Sequence, residues 1–367
     1  MDFIMQMKPW FGKEEKEAIC SYMDEDGFIT EFKRTTLLEE MIAKYTNAKH
    51  CIIVNNGTIS LTLAALALDI GYNDEVIVPN YTMIATPNSV KMIGAKPVFV
   101  DVEKETLCMD IEKAKSAITS KTKAIILVSA NGRYPKSGIE AFEKLCKEKN
   151  IYLIEDAAQS LGSFYPDKRH IGTAGCIGSF SFSAPKIIST GQGGALITND
   201  DTLATKLRKL KDFGRSGGGN DFHDSIGYNF KFTELQACIG IEQMKKLDFR
   251  VKRKKEIYIM YKELLQDIKE VKLFEQDIIN TTPWFYDILA ENRDELQNYL
   301  KDKNIGTRLM YGPINKQIAY QIPGEHEVSN LIGKKGLWLP SFTQISDKEI
   351  GYICKMIKEF YNQESLQ

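Results

Sequence analysis

The residues of this chain best equipped for chemistry are one lysine and one aspartate. Lys186 lies in Ser179–Gly194, which reads Ser-Phe-Ser-Phe-Ser-Ala-Pro-Lys-Ile-Ile-Ser-Thr-Gly-Gln-Gly-Gly. It stands between a hydroxyl-rich strand and a glycine turn. Asp156 closes the apolar run Ile151–Asp156 and so sits at a strand's C-terminal end. A lysine in apolar surroundings gives up its proton more easily and becomes a nucleophilic amine. Such an amine condenses with an aldehyde to a Schiff base. Pyridoxal phosphate supplies the aldehyde and needs a carboxylate opposite its ring nitrogen to act as an electron sink. Singly, the lysine reads as a solvated charge and the aspartate as a helix cap. Together, with Ser181 before the lysine and Gly191, Gly193 and Gly194 after it, they favour the cofactor reading.

A phosphate needs its own cradle. Asn55-Asn56-Gly57-Thr58 falls between an apolar run and a helical pattern, where free backbone N–H groups, the helix dipole and the Thr58 hydroxyl would meet an anion. The plainer reading of the same segment is an ordinary N-cap. Gly172-x-x-Gly175-x-x-Gly178 lacks the strand-then-helix setting of a dinucleotide fingerprint, and Gly214–Asn220 lacks a P-loop lysine; the latter reads as a flexible loop. His50, His170, His223 and His326 form no metal-ligand spacing, and no Gly-x-Ser-x-Gly occurs.

Alternating apolar and amphipathic segments must position these residues. Cys51–Val54, Glu75–Pro79, Pro97–Val102, Ala124–Val128 and Ile151–Asp156 read as buried strands. Ile59–Leu68, Ile84–Ile93, Ile111–Ile118 and Ile139–Lys149 carry helical spacing. Phe180–Ser183 and Ala195–Thr198 add two strands, one of them antiparallel. The pattern predicts an α/β fold with a mixed, mainly parallel sheet and helices on both faces. Ligands then sit beyond the strands' carboxyl ends, where Asp156 falls. Leu235–Gln266 reads as one long helix leading out of the sheet. Beyond it, strands at Phe285–Ala290 and Gly306–Tyr311 and helices at Arg293–Lys303 and Asp347–Tyr361 predict a smaller α/β unit. The expected division is a large cofactor-binding domain over 1–245 and a small domain over 246–367.

The 367 residues allow a large core, and 43% hydrophobic with 26% charged residues is ordinary for a globular protein. The 48 lysines and arginines nearly cancel 49 aspartates and glutamates, leaving no basic field for nucleic acid or an anionic membrane. The seven cysteines never form a CxxC, which fits reduced thiols. Met1–Met7 is too short and polar for a signal peptide, and no window approaches the about 20 apolar residues of a membrane span. A cytoplasmic protein is expected.

The chain resembles the DegT/DnrJ/StrS family of pyridoxal-phosphate-dependent nucleotide-sugar aminotransferases. The resemblance is carried in order by Asn56–Thr58, Pro79–Thr86, Lys96–Val102, Ile154–Ser160, Ser179–Gly194 and Gly227–Ala237, and continues to Thr307-Arg308 and Leu339–Phe342. It implies a type I, aspartate-aminotransferase-like fold and pyridoxal 5′-phosphate as cofactor. It also implies roles. Lys186 would carry the cofactor and move the proton, and Asp156 would pair with the pyridine nitrogen. Gln159 would lie near the phenolic oxygen. Gly57, Thr58 and Ser181 would hold the phosphate, and Asn229 would reach the phosphate of a neighbouring subunit in a homodimer. Relatives with histidine at the lysine position dehydrate sugars instead, so Lys186 implies amino transfer.

The overall pattern is similar to viosamine and perosamine synthases. It implies amination of a dTDP- or GDP-linked 4-keto-6-deoxyhexose, with L-glutamate as donor, for surface polysaccharide biosynthesis. Arg308 would meet a diphosphate or the glutamate carboxylate. Three positions depart from the family pattern: Met83 replaces an aromatic that stacks on the cofactor, Gln192 replaces a glutamate, and Ser129–Arg133 replaces a His-Leu-Tyr-Gly segment. A change in the last would widen or reshape the sugar pocket and keeps carbon-3 amination open. A cofactor-binding regulatory protein and a lyase or dehydratase on the same cofactor are the rival classes. Bleaching of the cofactor band by glutamate separates the first, and nitrogen gained by the product the second.

Overall fold

The computed structural model describes residues 2–216 and 221–364, so residues 217–220 of the predicted 214–220 loop lie outside the described residues. Two helices, α1 (Lys13–Asp24) and α2 (Lys33–Thr46), precede the predicted alternation. It then runs β1 (His50–Val54), α3 (Gly57–Ala67), β2 (Glu75–Pro79), α4 (Ala85–Met92), β3 (Lys96–Val100), α5 (Ile111–Ser116), β4 (Thr122–Val128), α6 (Ile139–Lys149) and β5 (Tyr152–Asp156). Then follow β6 (Ile177–Ser181), β7 (Gly194–Thr198), α7 (Asp201–Lys211), α8 (Glu234–Lys245) and α9 (Leu247–Leu265).

The seven strands form one mixed sheet in the order β1-β7-β6-β5-β4-β2-β3, and β7 runs antiparallel to both its neighbours. β2 and β7 are buried at every position, as strands covered on both faces must be. α6 shows the covering logic: Ile139, Phe142, Leu145 and Cys146 share its buried side, and Asn150 ends it in a left-handed C-cap. The two faces carry separate apolar clusters, one around Phe142, Phe180 and Phe182 and the other around Leu63, Val78 and Ile126.

The rest of the chain builds a second sheet. β8 (Val271–Leu273), β9 (Tyr286–Ala290), α10 (Arg293–Asp302), β10 (Arg308–Leu309), α11 (Glu327–Lys335), β11 (Gly336–Leu339) and α12 (Asp347–Glu364) follow, with strand order β10-β11-β9-β8. Its core of Tyr261, Leu296, Ile353 and their neighbours also takes in Ile4, which bridges to Ile305. Two local expectations change. The long helix at 235–266 is broken at Lys246, and the predicted strand at 306–311 shrinks to Arg308–Leu309.

Polar clamps join the two sheets on the side of β2 to β5. Asn80 and Asn315 bond reciprocally at 2.9 Å, side chain to side chain and backbone N–H to side chain. The Asp101 carboxylate accepts from the Val328 and Ser329 N–H groups at the start of α11. Arg133 donates twice to Asp287, both bonds 2.7 Å and both side chains 4% exposed. Breaking one partner of such a buried pair costs about 3–5 kcal/mol because the other charge is stranded.

Candidate active site

Beyond the carboxyl ends of the parallel strands opens a cleft of about 480 Å³, within the roughly 300–1,000 Å³ usual for small ligands. Gly57, Thr58, Met83, Asp156, Gln159, Ser181 and Lys186 all line it.

β5 delivers Asp156 at its last position, 6% exposed. One carboxylate oxygen accepts from the Thr86 hydroxyl at 2.8 Å and the other from the Ala158 N–H at 3.2 Å. Thr86 is in turn held by Thr82 at 2.9 Å. Burial raises the Asp156 pKa against these donors and the Lys186 charge. Such a carboxyl is poised to take a cationic partner.

Lys186 is half-buried on the turn after β6, its N–H bonded to the Ser183 carbonyl at 3.0 Å. Burial pushes its amine down to about 8, with Asp156 opposing and Arg308 adding to the shift. The ammonium stands over the Trp284 ring, whose indole N–H donates to the Pro185 carbonyl at 2.8 Å. Sequence reasoning missed Trp284, because nothing in its spacing distinguishes it from any aromatic before a strand.

α3 begins beside them. Asn56 is its N-cap, the plainer reading of that segment, accepting from the Ile59 N–H at 2.9 Å. The cap leaves the Gly57 and Thr58 N–H groups without a protein partner among the described residues, facing the cleft with the Thr58 and Ser181 hydroxyls. A Cβ on Gly57 would meet that of Ser181 at 2.8 Å, so only glycine lets the helix start come this close. The donor set fits pyridoxal 5′-phosphate: an amine of lowered pKa, a buried carboxylate and an unsatisfied helix N-terminus flanked by hydroxyls.

The other candidates divide. The Gln159 side-chain oxygen accepts from the Asn131 N–H at 2.5 Å. Met83 is 45% exposed at the cleft rim, its sulfur 3.1 Å from the Ala85 nitrogen. Gln192 also lines the rim. Arg308 lies on exposed β10 with its guanidinium 5.6 Å over the Trp338 ring. Asn229 is exposed, on a segment bridged to Asp212, and does not line this cleft.

The segment 129–133 has a structural role that its sequence did not show. Arg133 turns away from the cleft into its ion pair, while Asn131 donates to the Phe285 carbonyl at 2.8 Å and accepts its N–H at 2.6 Å. These side chains fasten the two sheets together. The discounted glycines of 172–178 also acquire a role. The N–H groups of Gly172, Ala174 and Gly175 and the Tyr165 hydroxyl all donate to the buried Glu155, which anchors β5 one residue before Asp156.

A mixed seven-stranded sheet offering a lysine and a carboxylate at the strand ends, with a smaller sheet behind, defines a type I aminotransferase. Residues 10–358 match the DegT/DnrJ/EryC1/StrS aminotransferase family, and the chain belongs to it. It is 36% identical to GDP-perosamine synthase of Escherichia coli O157:H7, over 99% of this chain and all of that one. It is 31% identical to GDP-perosamine synthase of Vibrio cholerae, over 97% and 98%. The crystal structure of a DegT DnrJ EryC1 StrS aminotransferase from Brucella abortus superposes with a TM-score of 0.89 at 29% identity, over 95% of each chain. The protein is a pyridoxal-phosphate-dependent sugar aminotransferase. No helix among the described residues is long and apolar enough to cross a membrane.

Proposed function

We propose that this enzyme aminates carbon 4 of a nucleotide-linked 4-keto-6-deoxyhexose, with L-glutamate as donor, in the making of a surface polysaccharide. The full-length likeness to two GDP-perosamine synthases carries the reading and favours a GDP-linked sugar over a dTDP-linked one.

Bound pyridoxal phosphate supplies an electron sink for the carbon that bears the nitrogen. The residues around it do the rest. The Gly57 and Thr58 N–H groups and the Thr58 and Ser181 hydroxyls bind the phosphate. Asp156 would hold a proton on the cofactor's ring nitrogen, Gln159 would serve its phenolic oxygen, and Met83 would offer a polarisable sulfur to the ring. Lys186 Nζ, part neutral at neutral pH, takes the proton from the donor's carbon and later returns one to the sugar's carbon 4. Arg308 offers two parallel N–H donors to a diphosphate or the glutamate carboxylate. Asn229 serves the phosphate of a second subunit in a homodimer. The chain divides at about residue 245, between α8 and α9, into the cofactor-binding and small domains.

The test supplies the holoenzyme with glutamate and GDP-linked or dTDP-linked 4-keto-6-deoxy sugars, or a dTDP-linked 3-keto isomer, and weighs the products. An amine on the GDP-linked 4-keto sugar is expected. Amination of the 3-keto sugar alone overturns the regiochemistry.

A further inference from the structure

The buried face of α9 carries two cations on an otherwise apolar stripe. Its buried positions are Leu247, Arg250, Lys254, Ile257, Tyr258, Tyr261 and Leu265. Arg250 donates to the Ile187 carbonyl at 2.8 Å, to the Gln243 side-chain oxygen at 2.6 Å and to the Trp10 carbonyl at 2.9 Å. Lys254, 6% exposed, donates to the Ser341 carbonyl at 2.6 Å and to that of Trp284, and stands 5.6 Å over the Phe285 ring. It meets no carboxylate among the described residues, and burial pushes its amine down to about 7. An ion placed so deep without a counter-charge is unfavourable for folding, which asks for a local reason.

The strand register supplies one. β9 and β11 pair Tyr286 with Leu339, and the same register carried outward sets Trp284 opposite Ser341. That pair does not close. The Ser341 N–H turns to the Gln6 carbonyl at 3.3 Å, and the Lys254 ammonium lies between the two carbonyls. With its carbonyl pinned there, Trp284 reaches across to the large sheet's lysine turn, indole N–H on Pro185 and ring face toward Lys186.

We propose that Lys254 is a positioning residue for Lys186: wedged between the Trp284 and Ser341 carbonyls, it splays the end of the β9–β11 pair and sets the Trp284 indole as the floor beneath the reactive amine. Arg250, one turn earlier, fastens the far side of the same turn at Ile187. The inference rests on the reading of Lys186 as the amine that carries the cofactor.

The test follows Lys186 in cofactor-free protein by competitive acetylation with acetic anhydride at pH 7, mapped by peptide mass spectrometry and scaled to surface lysines. Lys254→Met should slow acetylation of Lys186 about tenfold: an indole that no longer covers the amine readmits water, water favours the ammonium, and a one-unit rise in pKa cuts the neutral fraction tenfold. Lys254→Arg, which keeps donors in place, should recover most of the rate. Trp284→Leu should match the methionine variant, and the double variant should lose no more than either. If Lys254→Met does not fold, Lys254→Gln, too short to span both carbonyls, carries the same expectation. An unchanged Lys186 rate, or losses that multiply in the double variant, overturns the proposal whatever the melting temperature does. A separate sample of wild-type holoenzyme, reduced with borohydride, shows which lysine bears the cofactor; a lysine other than Lys186 there defeats the underlying reading instead.

Discussion

Arg308 and Lys186 hold opposite ends of one aromatic stack. The Lys186 ammonium is 4.3 Å from the centre of the Trp284 ring, Trp284 meets Trp338 edge to face at 5.7 Å, and the Arg308 guanidinium lies 5.6 Å over Trp338. Each cation lies against a ring face, which keeps water from it while the ring's negative surface offsets part of that loss. The small sheet thus contributes both the floor under the amine and a cation that helps to drive off its proton.

That coupling sets the first prediction. With its pKa at about 8, the Lys186 amine of the cofactor-free protein should combine with pyridoxal phosphate faster as pH rises, levelling off above about 8. Arg308→Gln removes a charge that lowers this pKa, so the midpoint should move upward. The same variant should raise KM for the nucleotide sugar more than it lowers kcat. Stopped-flow absorbance and steady-state kinetics check the two halves.

Lys186→Ala should abolish the visible band that borohydride otherwise fixes covalently. Turnover should fall by at least the roughly 10²–10⁴-fold that a positioned proton-transfer group supplies. A fully active alanine variant ends the assignment.

Asp156 titrates above the ordinary aspartate range because it is buried. A carboxyl whose folded pKa is raised contributes stability below its unfolded pKa, and that contribution is lost as pH rises through the folded value. Without cofactor, Asp156→Asn should therefore melt higher than wild type at pH 7, and the gain should vanish at acid pH below the unfolded value. With cofactor, turnover should collapse far more than binding. Calorimetry on both forms separates these effects.

Asp287→Ala should strand the Arg133 guanidinium and cost about 3–5 kcal/mol. Replacing both together, as in Arg133→Met with Asp287→Leu, should cost much less. Urea denaturation measures the difference. The single variant should also disturb the site through Asn131, whose N–H binds Gln159.

Lys186→Ala chains and Asn229→Asp chains, each inactive alone, should regain part of the activity when refolded together. The added carboxylate repels phosphate, but one hybrid site escapes both lesions. No recovery, with a monomer by sedimentation, counts against shared sites.

Much of this was legible in the sequence for a physical reason. β2 carries the apolar run Val76–Pro79 and α6 an unbroken 3.6-residue stripe, so local pattern and buried face coincide there. The cleft-lining residues Asp156 and Gly57 followed, since they sit at the end of β5 and the start of α3. What pattern could not give was the contact between distant elements. Trp284 and Arg133 act through partners on the other sheet, and their neighbours in sequence say nothing of that. Lys254 and Arg250 escaped because a lysine-rich helix hides two buried charges among many solvated ones. The break at Lys246 escaped because neither glycine nor proline marks it.

The placement of β7 bears on how the protein comes into being. Gly194 opposes Ser181 on one side and Val54 on the other, and a Cβ there would meet the Asn56 carbonyl at 2.5 Å. The start of α3 is thus brought to Ser181 by a strand that the ribosome delivers long after both Asn56 and Gly57. Pairing so remote in sequence is slow, because the intervening loop must close before any contact repays it. A chain ending before Gly194 therefore lacks the strand that ties β1 to β6 beside the start of α3.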